Sequence, residues 1–178
     1  DAESFFAYVK NKFPYSKYAA LSELRMADAH FEQENWLEAA DAYRLFIRFH
    51  PRHEKIAFAS FRIALSFWRE TSGTQNEMFP FLDTVEDALS PYPPVHQRDL
   101  SATKDAIASF DQYILRHPDD ENVQEAKELR LAARTILAEH EMYAANFYIE
   151  RKRWRGAMWR YQNIADVYGD TPQAPAAM

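Results

Sequence analysis

Apolar positions along the chain recur with a helical spacing that restarts four times. Each restart reads Ala, an aromatic four residues on, an apolar residue three further, and a closing Pro or Gly. The four are Ala2-Phe6-Val9-Pro14, Ala39-Tyr43-Phe46-Pro51, Ala106-Phe110-Tyr113-Pro118 and Ala157-Tyr161-Ile164-Gly169. This spacing lines three apolar positions on one helical face. The Pro, or a Gly serving as C-cap, then ends the helix. A second pattern precedes three of these helices: Leu24-Arg25-Met26-Ala27, Phe61-Arg62-Ile63-Ala64 and Met142-Tyr143-Ala144-Ala145. Its small residue lets two antiparallel helices approach closely. It stands twelve positions before the next helix's Ala in two cases, Ala27 to Ala39 and Ala145 to Ala157. Between Ala64 and Ala106 about thirty further residues intervene. A small residue in the first helix, an Ala–aromatic pair in the second and a closing Pro follow the logic of the tetratricopeptide repeat. The expected fold is therefore all-α, a tetratricopeptide-repeat superhelix of antiparallel helix pairs with an insertion in the second complete repeat.

The expected array covers 1–172. It reads as a lone second helix over 2–14, a repeat over 17–51, a repeat over 54–118 with an insertion at 71–100, and a long helix plus final second helix over 121–169. Residues 173–178 are expected to fray. Asn35 followed by Glu38 resembles a capping box. Phe79 to Leu89 predicts a short helix inside the insertion. No Pro or Gly occurs from Glu121 to Arg153, which predicts one helix of about 30 residues, near 45 Å long. Asp119, Asp120 and Glu121 would complement its dipole. An array that starts and stops mid-repeat implies a fragment, or an end covered by a partner.

Composition narrows the chemistry. With 178 residues the chain suits one domain or one run of small repeats. The net charge of -6 argues against nucleic acid as a partner, since non-specific binding needs a basic surface. The absence of cysteine excludes disulfides, thiolate metal sites and cysteine nucleophiles. Three glycines, Gly73, Gly156 and Gly169, cannot form a Gly-rich phosphate loop. No apolar run is long enough to span a membrane. His140-Glu141 begins like a zinc-protease motif, but Ala144 stands where the second imidazole is needed. His50 and His117 share one repeat position in the last helical turn, where they suit the open carbonyls better than a metal. No catalytic residue, cofactor or metal ligand is assigned, and a non-enzyme is expected.

Two features point to protein partners. Arg151-Lys152-Arg153-Trp154-Arg155, with Arg160 one turn on, concentrates cations in an acidic chain. It reads either as a solvated loop or as a surface for an acidic protein partner, Arg and Trp being frequent interface anchors. First helices of such repeats line the concave surface, which offers Leu21, Leu24, Asp28 and Phe31, then Phe58, Phe61, Leu65 and Trp68. These read either as core between helices or as a groove for an extended segment with apolar or aromatic side chains.

Specific strings narrow this further. The segment Leu137-Ala138-Glu139-His140-Glu141-Met142-Tyr143-Ala144-Ala145-Asn146-Phe147-Tyr148 closely resembles a segment of the BamD family, lipoproteins of the outer-membrane β-barrel assembly machinery. Phe46-Ile47-Arg48-Phe49-His50-Pro51, Gln97-Arg98-Asp99, Arg160-Tyr161-Gln162, Tyr168-Gly169-Asp170-Thr171-Pro172 and Phe13-Pro14-Tyr15-Ser16 resemble further motifs of that family, together spanning nearly the whole chain. The resemblance implies a non-catalytic scaffold at the periplasmic face of the outer membrane. It implies as partners the BamA POTRA region, other lipoproteins of the complex, and unfolded outer-membrane proteins. Arg160, with Arg153 and Arg155 nearby, would carry the BamA contact. Phe13, Phe31, Phe61 and Trp68 would line the substrate groove. Membrane association would need a lipid anchor, whose Cys is missing here, as are the family's first helix and fifth repeat. The insertion is longer than usual, and Gly169 replaces a Pro. The competing expectation is a general tetratricopeptide-repeat adaptor of the cell envelope.

Overall fold

The computed structural model describes residues 16–72, 95–97 and 99–177, together with Phe5, Tyr8, Val9 and Lys12. Phe13, most of the lone helix over 2–14, the short helix over 79–89 and most of the insertion lie outside the described residues. Among the described residues there are seven α-helices: α1 Lys17–Glu32, α2 Trp36–Phe49, α3 Ile56–Ser72, α4 Ser101–Arg116, α5 Val123–Glu150, α6 Trp154–Val167 and the one-turn α7 Ala174–Ala177. A 3-10 turn at Val95–Gln97 leads towards α4. Each helix packs chiefly on its neighbour in the chain, and the 3-10 turn rests on α5. This is the nearest-neighbour arrangement of a tetratricopeptide-type array.

Small residues make the close packing. Ala27, Ala39, Ala64, Ala106 and Ala145 are completely buried, so paired helix backbones come together without a side chain between them. The aromatic and apolar positions of the sequence pattern fill what remains: Tyr43, Phe46, Phe110, Tyr113 and Ile164 are among the largest fully buried side chains. Each buried tyrosine hydroxyl has an acceptor, as burial in an apolar core requires. Tyr43 donates to Asp28 Oδ1 at 2.6 Å, and Tyr113 donates to Asp120.

The first and last helix pairs are two copies of one design. In the register that matches Ala27 with Ala145 and Ala39 with Ala157, Tyr43 matches Tyr161 and Asp28 matches Asn146. Both tyrosines donate to a residue fifteen positions earlier, Tyr161 reaching Asn146 Oδ1 at 3.0 Å. The turns match as well. Glu34 (φ 62°) and Lys152 (φ 56°) sit in the left-handed region, and each is followed by an amide that donates back across the turn. Asn35 N–H bonds His30 O at 3.0 Å, and Arg153 N–H bonds Tyr148 O at 2.9 Å. This helix-ending motif normally places Gly or Asn at the left-handed position. A glutamate and a lysine hold it here, at a backbone cost of about 1–2 kcal/mol each.

Three expectations need correction. Asn35 makes no side-chain cap bond to α2; its amide closes the turn before it, and its φ -82°, ψ 71° are not the extended angles that aim a capping side chain. The long helix runs Val123–Glu150 rather than 121–153. Its start is delayed because Asp120 accepts the amide and side chain of Asn122 as well as the Tyr113 hydroxyl. Its end is fixed by the left-handed Lys152. The tail expected to fray instead continues through buried Thr171 and Ala174 into α7, which packs on α6.

Candidate interaction site

The long helix α5 carries three consecutive polar side chains that each hold a different part of the chain. Successive residues of an α-helix point about 100° apart, so Glu139, His140 and Glu141 diverge. Glu139 Oε1 accepts from Gln173 Nε2 at 3.1 Å, tying down the tail ahead of α7. His140 donates from Nδ1 to the His96 carbonyl at 2.7 Å, holding the 3-10 turn. Glu141 receives Arg160 Nη1 on both oxygens, at 3.0 and 2.8 Å, joining α5 to α6. The string that resembles a zinc-protease motif is thus a structural hub. Among the described residues no group of three or more His, Asp or Glu side chains is arranged to hold a metal ion.

Arg160 is half-buried and Glu141 more so. The hydrogen bond it donates to Glu141 comes first among the influences that hold the Arg160 guanidinium above its usual range. Beside this pair the Tyr148 ring lies flat against Gly156, where an added Cβ would come within 3.0 Å of the ring. Gly156 is therefore a close-approach glycine at the start of α6. At the C-terminal end of α6, Arg134 of α5 grips Asp170 through Nε and Nη2 and also donates to the Val167 carbonyl at 2.6 Å. That last bond satisfies an open carbonyl at the α6 C-terminus.

Two carboxylates gain from this network. The Arg134 hydrogen bond is the main cause holding Asp170 below the usual carboxylate range. Burial alone would raise Asp120, but hydrogen bonds from Tyr113 and Asn122 outweigh it and hold it low. Tyr43 and Tyr113 move the other way, burial first and then their carboxylate partners keeping both protonated well above the usual tyrosine range. The linkage signs follow. The depressed Asp120 and Asp170 contribute stability that is present above the unfolded carboxylate range and lost as pH falls below about 4. The raised tyrosines contribute stability that is present below about pH 10 and lost above it, as unfolded tyrosines ionise. Thermal melts across pH should therefore show a plateau falling at both ends. Asp170→Asn should flatten the acid limb, and an unaltered acid limb in that variant would remove Asp170 from the account.

The cationic string stands at the edge of this network. Arg151 stacks its guanidinium over the Phe147 ring at 3.4 Å. Arg153 is exposed at the N-cap of α6. Arg155 is exposed in the first turn, and Arg160 points inward to Glu141 rather than outward. Trp154, Met158 and Trp159 project beside them at 63%, 67% and 62% exposure. The matching positions on α2 are Trp36, Ala40 and Asp41. There Trp36 packs on the core with its ring 4.9 Å from Phe31, and Ala40 is fully buried.

The aromatic groove residues fare differently. Phe31 and Phe61 are 7% and 6% exposed and belong to the core cluster, so they do not line an open groove. Arg62 of α3 stacks over the Phe31 ring at 4.3 Å, and Phe61 packs 5.4 Å from Tyr113. The helical spacing that marked them is the same for core and for concave lining, and here the neighbouring helix claims them. Trp68 is partly buried against that core. His50 closes α2 with its backbone, while its ring reaches Glu23 Oε2 at 2.9 Å. The sequence pattern gave no role to Glu141 or Tyr148. Their signal was register: Glu141 matches Glu23, and each precedes its alanine seam residue by one turn.

A family model described as YfiO, outer membrane lipoprotein, matches residues 1–178. Curated relatives named outer membrane protein assembly factor BamD match at low identity. The protein from Vibrio cholerae is 23% identical over 164 residues, covering 92% of this chain and 63% of its own length. That from Xylella fastidiosa is 26% identical over 174 residues, covering 98% and 54%, and that from Rickettsia prowazekii is 25% identical over 176 residues, covering 97% and 60%. The chain thus spans between about half and just under two thirds of the length of these relatives. No helix among the described residues is long and apolar enough to cross a membrane. With the family model matched from the first residue to the last, the chain belongs to the YfiO family of outer membrane lipoproteins.

Proposed function

We propose that the protein is a non-catalytic scaffold of outer-membrane β-barrel assembly, working at the periplasmic face, with the α5–α6 edge as its docking surface for the BamA POTRA region. One observation carries the site: the cations stand at the wrong end of a helix for stability. Arg153 and Arg155 occupy the N-cap and first turn of α6, where the helix dipole disfavours positive charge by about 0.3–1 kcal/mol each. Exposed Trp154, Met158 and Trp159 flank them with the aromatic, Met and Arg composition that marks interface centres. An acidic patch on the partner fits that surface. Within this reading Arg160 acts as a positioning residue, its fork to Glu141 fixing α6 on α5. The names of the relatives support membership of the assembly machinery. They favour this reading over a general adaptor. Within the reading, unfolded outer-membrane proteins and the other lipoproteins of the complex are further partners.

Calorimetric titration with the membrane-proximal POTRA domain of BamA tests the assignment. The Arg153→Glu/Arg155→Glu protein should bind at least about tenfold more weakly, or about 1.4 kcal/mol, with most of the loss at low salt. A charge swap, Arg160→Glu with Glu141→Arg, should retain binding if Arg160 only positions the helix. Unchanged affinity in the double glutamate protein would remove the site. Absence of binding by the folded parent protein would overturn the reading itself.

A further inference from the structure

The internal copy relation exposes a vacancy. Between α5 and α6, Arg160 lies in the groove and forks onto Glu141, with Tyr148 packed over Gly156 beside it. In the same register on the first pair, Glu23 stands for Glu141, but Ala42 stands for Arg160. What results between α1 and α2 is a cavity of about 350 Å³, lined among others by Glu23, Met26, Glu38, Asp41, Ala42 and Leu45. That volume lies at the low end for small-ligand sites. Its lining combines three carboxylates and His30 with apolar side chains, among them the buried Phe46. Glu23 accepts from His50 at 2.9 Å, and Asp41, on the solvent side, pairs with Arg44 at 3.1 Å. Leu45 stands half exposed at the mouth.

We propose that this groove accepts an arginine side chain presented by an extended, partly apolar peptide segment of a partner protein. The guanidinium would take the place that Arg160 fills in the last pair and reach Glu23 beside its existing contact with His50. Three observations converge on that chemistry. The equivalent groove holds an arginine in this same molecule. The cavity is present where that side chain is replaced by a methyl group. Three carboxylates, Glu23, Glu38 and Asp41, line it, and a guanidinium, always charged and with five donors in one plane, can serve more than one of them at once. The apolar flank of Met26 and Leu45 suits the methylene stem of the arginine or a neighbouring aliphatic residue. The site lies on the first helix pair and is independent of the α5–α6 surface.

Methyl NMR spectra of the protein, observing Met26 and Leu45, can be followed during titration with the capped peptide acetyl-Leu-Arg-Leu-amide. The same peptide with citrulline, a neutral isostere of arginine, or with lysine serves as comparison. The arginine peptide should bind at least about tenfold more tightly than the citrulline peptide, with lysine between them. Glu23→Gln should remove that preference while leaving the weak citrulline binding unchanged. Ala42→Arg should abolish binding by supplying the arginine from within, and its circular dichroism and melting temperature report whether it is folded. Equal binding of the arginine and citrulline peptides, or an arginine preference that survives both Glu23→Gln and a folded Ala42→Arg, would overturn the proposal.

Discussion

Phe110→Ala should lower stability by about 3–5 kcal/mol, the range for deleting a buried phenylalanine. Phe110 is completely buried in α4 and packs 6.5 Å from Phe61 of α3. Its position makes the loss more than local. Each helix leans chiefly on its chain neighbours, and α3 and α5 touch only slightly. Coupling between α1–α3 and α5–α7 therefore passes mainly through α4. A linear array loses cooperativity when one of its interfaces weakens. Urea denaturation of the variant, followed by far-UV circular dichroism, should separate into two transitions where the parent shows one. Phe110→Leu, which keeps most of the volume, should cost much less. A single transition shifted by under about 1 kcal/mol in Phe110→Ala would show that the α3–α4 seam is not the joint.

Removing the carboxylate of Glu141 should produce the second largest loss. Glu141→Ala leaves the half-buried Arg160 without the two acceptors that now hold it. Breaking one side of a fully buried pair costs about 3–5 kcal/mol. The partial exposure of both side chains lowers the expectation to about 1–3 kcal/mol. Replacing both partners, as Glu141→Leu with Arg160→Met, removes the stranded charge and should restore most of the stability. The four proteins form a double-mutant cycle in urea. Additive losses would mean that the fork is a surface contact and does not join α5 to α6.

The helices that fill 17–72 and 101–167 and the alanine seam were legible because both rest on local spacing. An alanine at Ala27 or Ala145 states how closely two helices meet, whatever their surroundings. The closing Pro51 and Pro118 likewise state where a helix must stop. Side-chain allegiance was harder to read. Phe31 and Phe61 occupy positions that serve either a groove or a core, and only the placement of α3 and α4 decides between them. Arg160 could be read as a charge near the cationic string, yet its direction depends on a glutamate nineteen residues earlier on another helix. The delayed start of α5 escaped for a similar reason. Asp120 looks like a dipole-complementing acid in sequence, but a tyrosine from the preceding helix and the following asparagine both claim it.

The hub on α5 works like a toothed shaft. Glu139, His140 and Glu141 each engage a different segment, so the three connections share one rotational setting. Inserting a single residue upstream in α5 would turn the shaft by about 100° and offer each segment its neighbour's tooth. Glu139 would swing towards the position of His140, which donates to a carbonyl, and an ionised carboxylate cannot donate there. Insertion of a whole turn would instead carry the three teeth about 5.4 Å along the axis with nearly the same angular setting. Length changes in this helix are therefore constrained in units of turns, whereas segments clear of such a hub can vary one residue at a time.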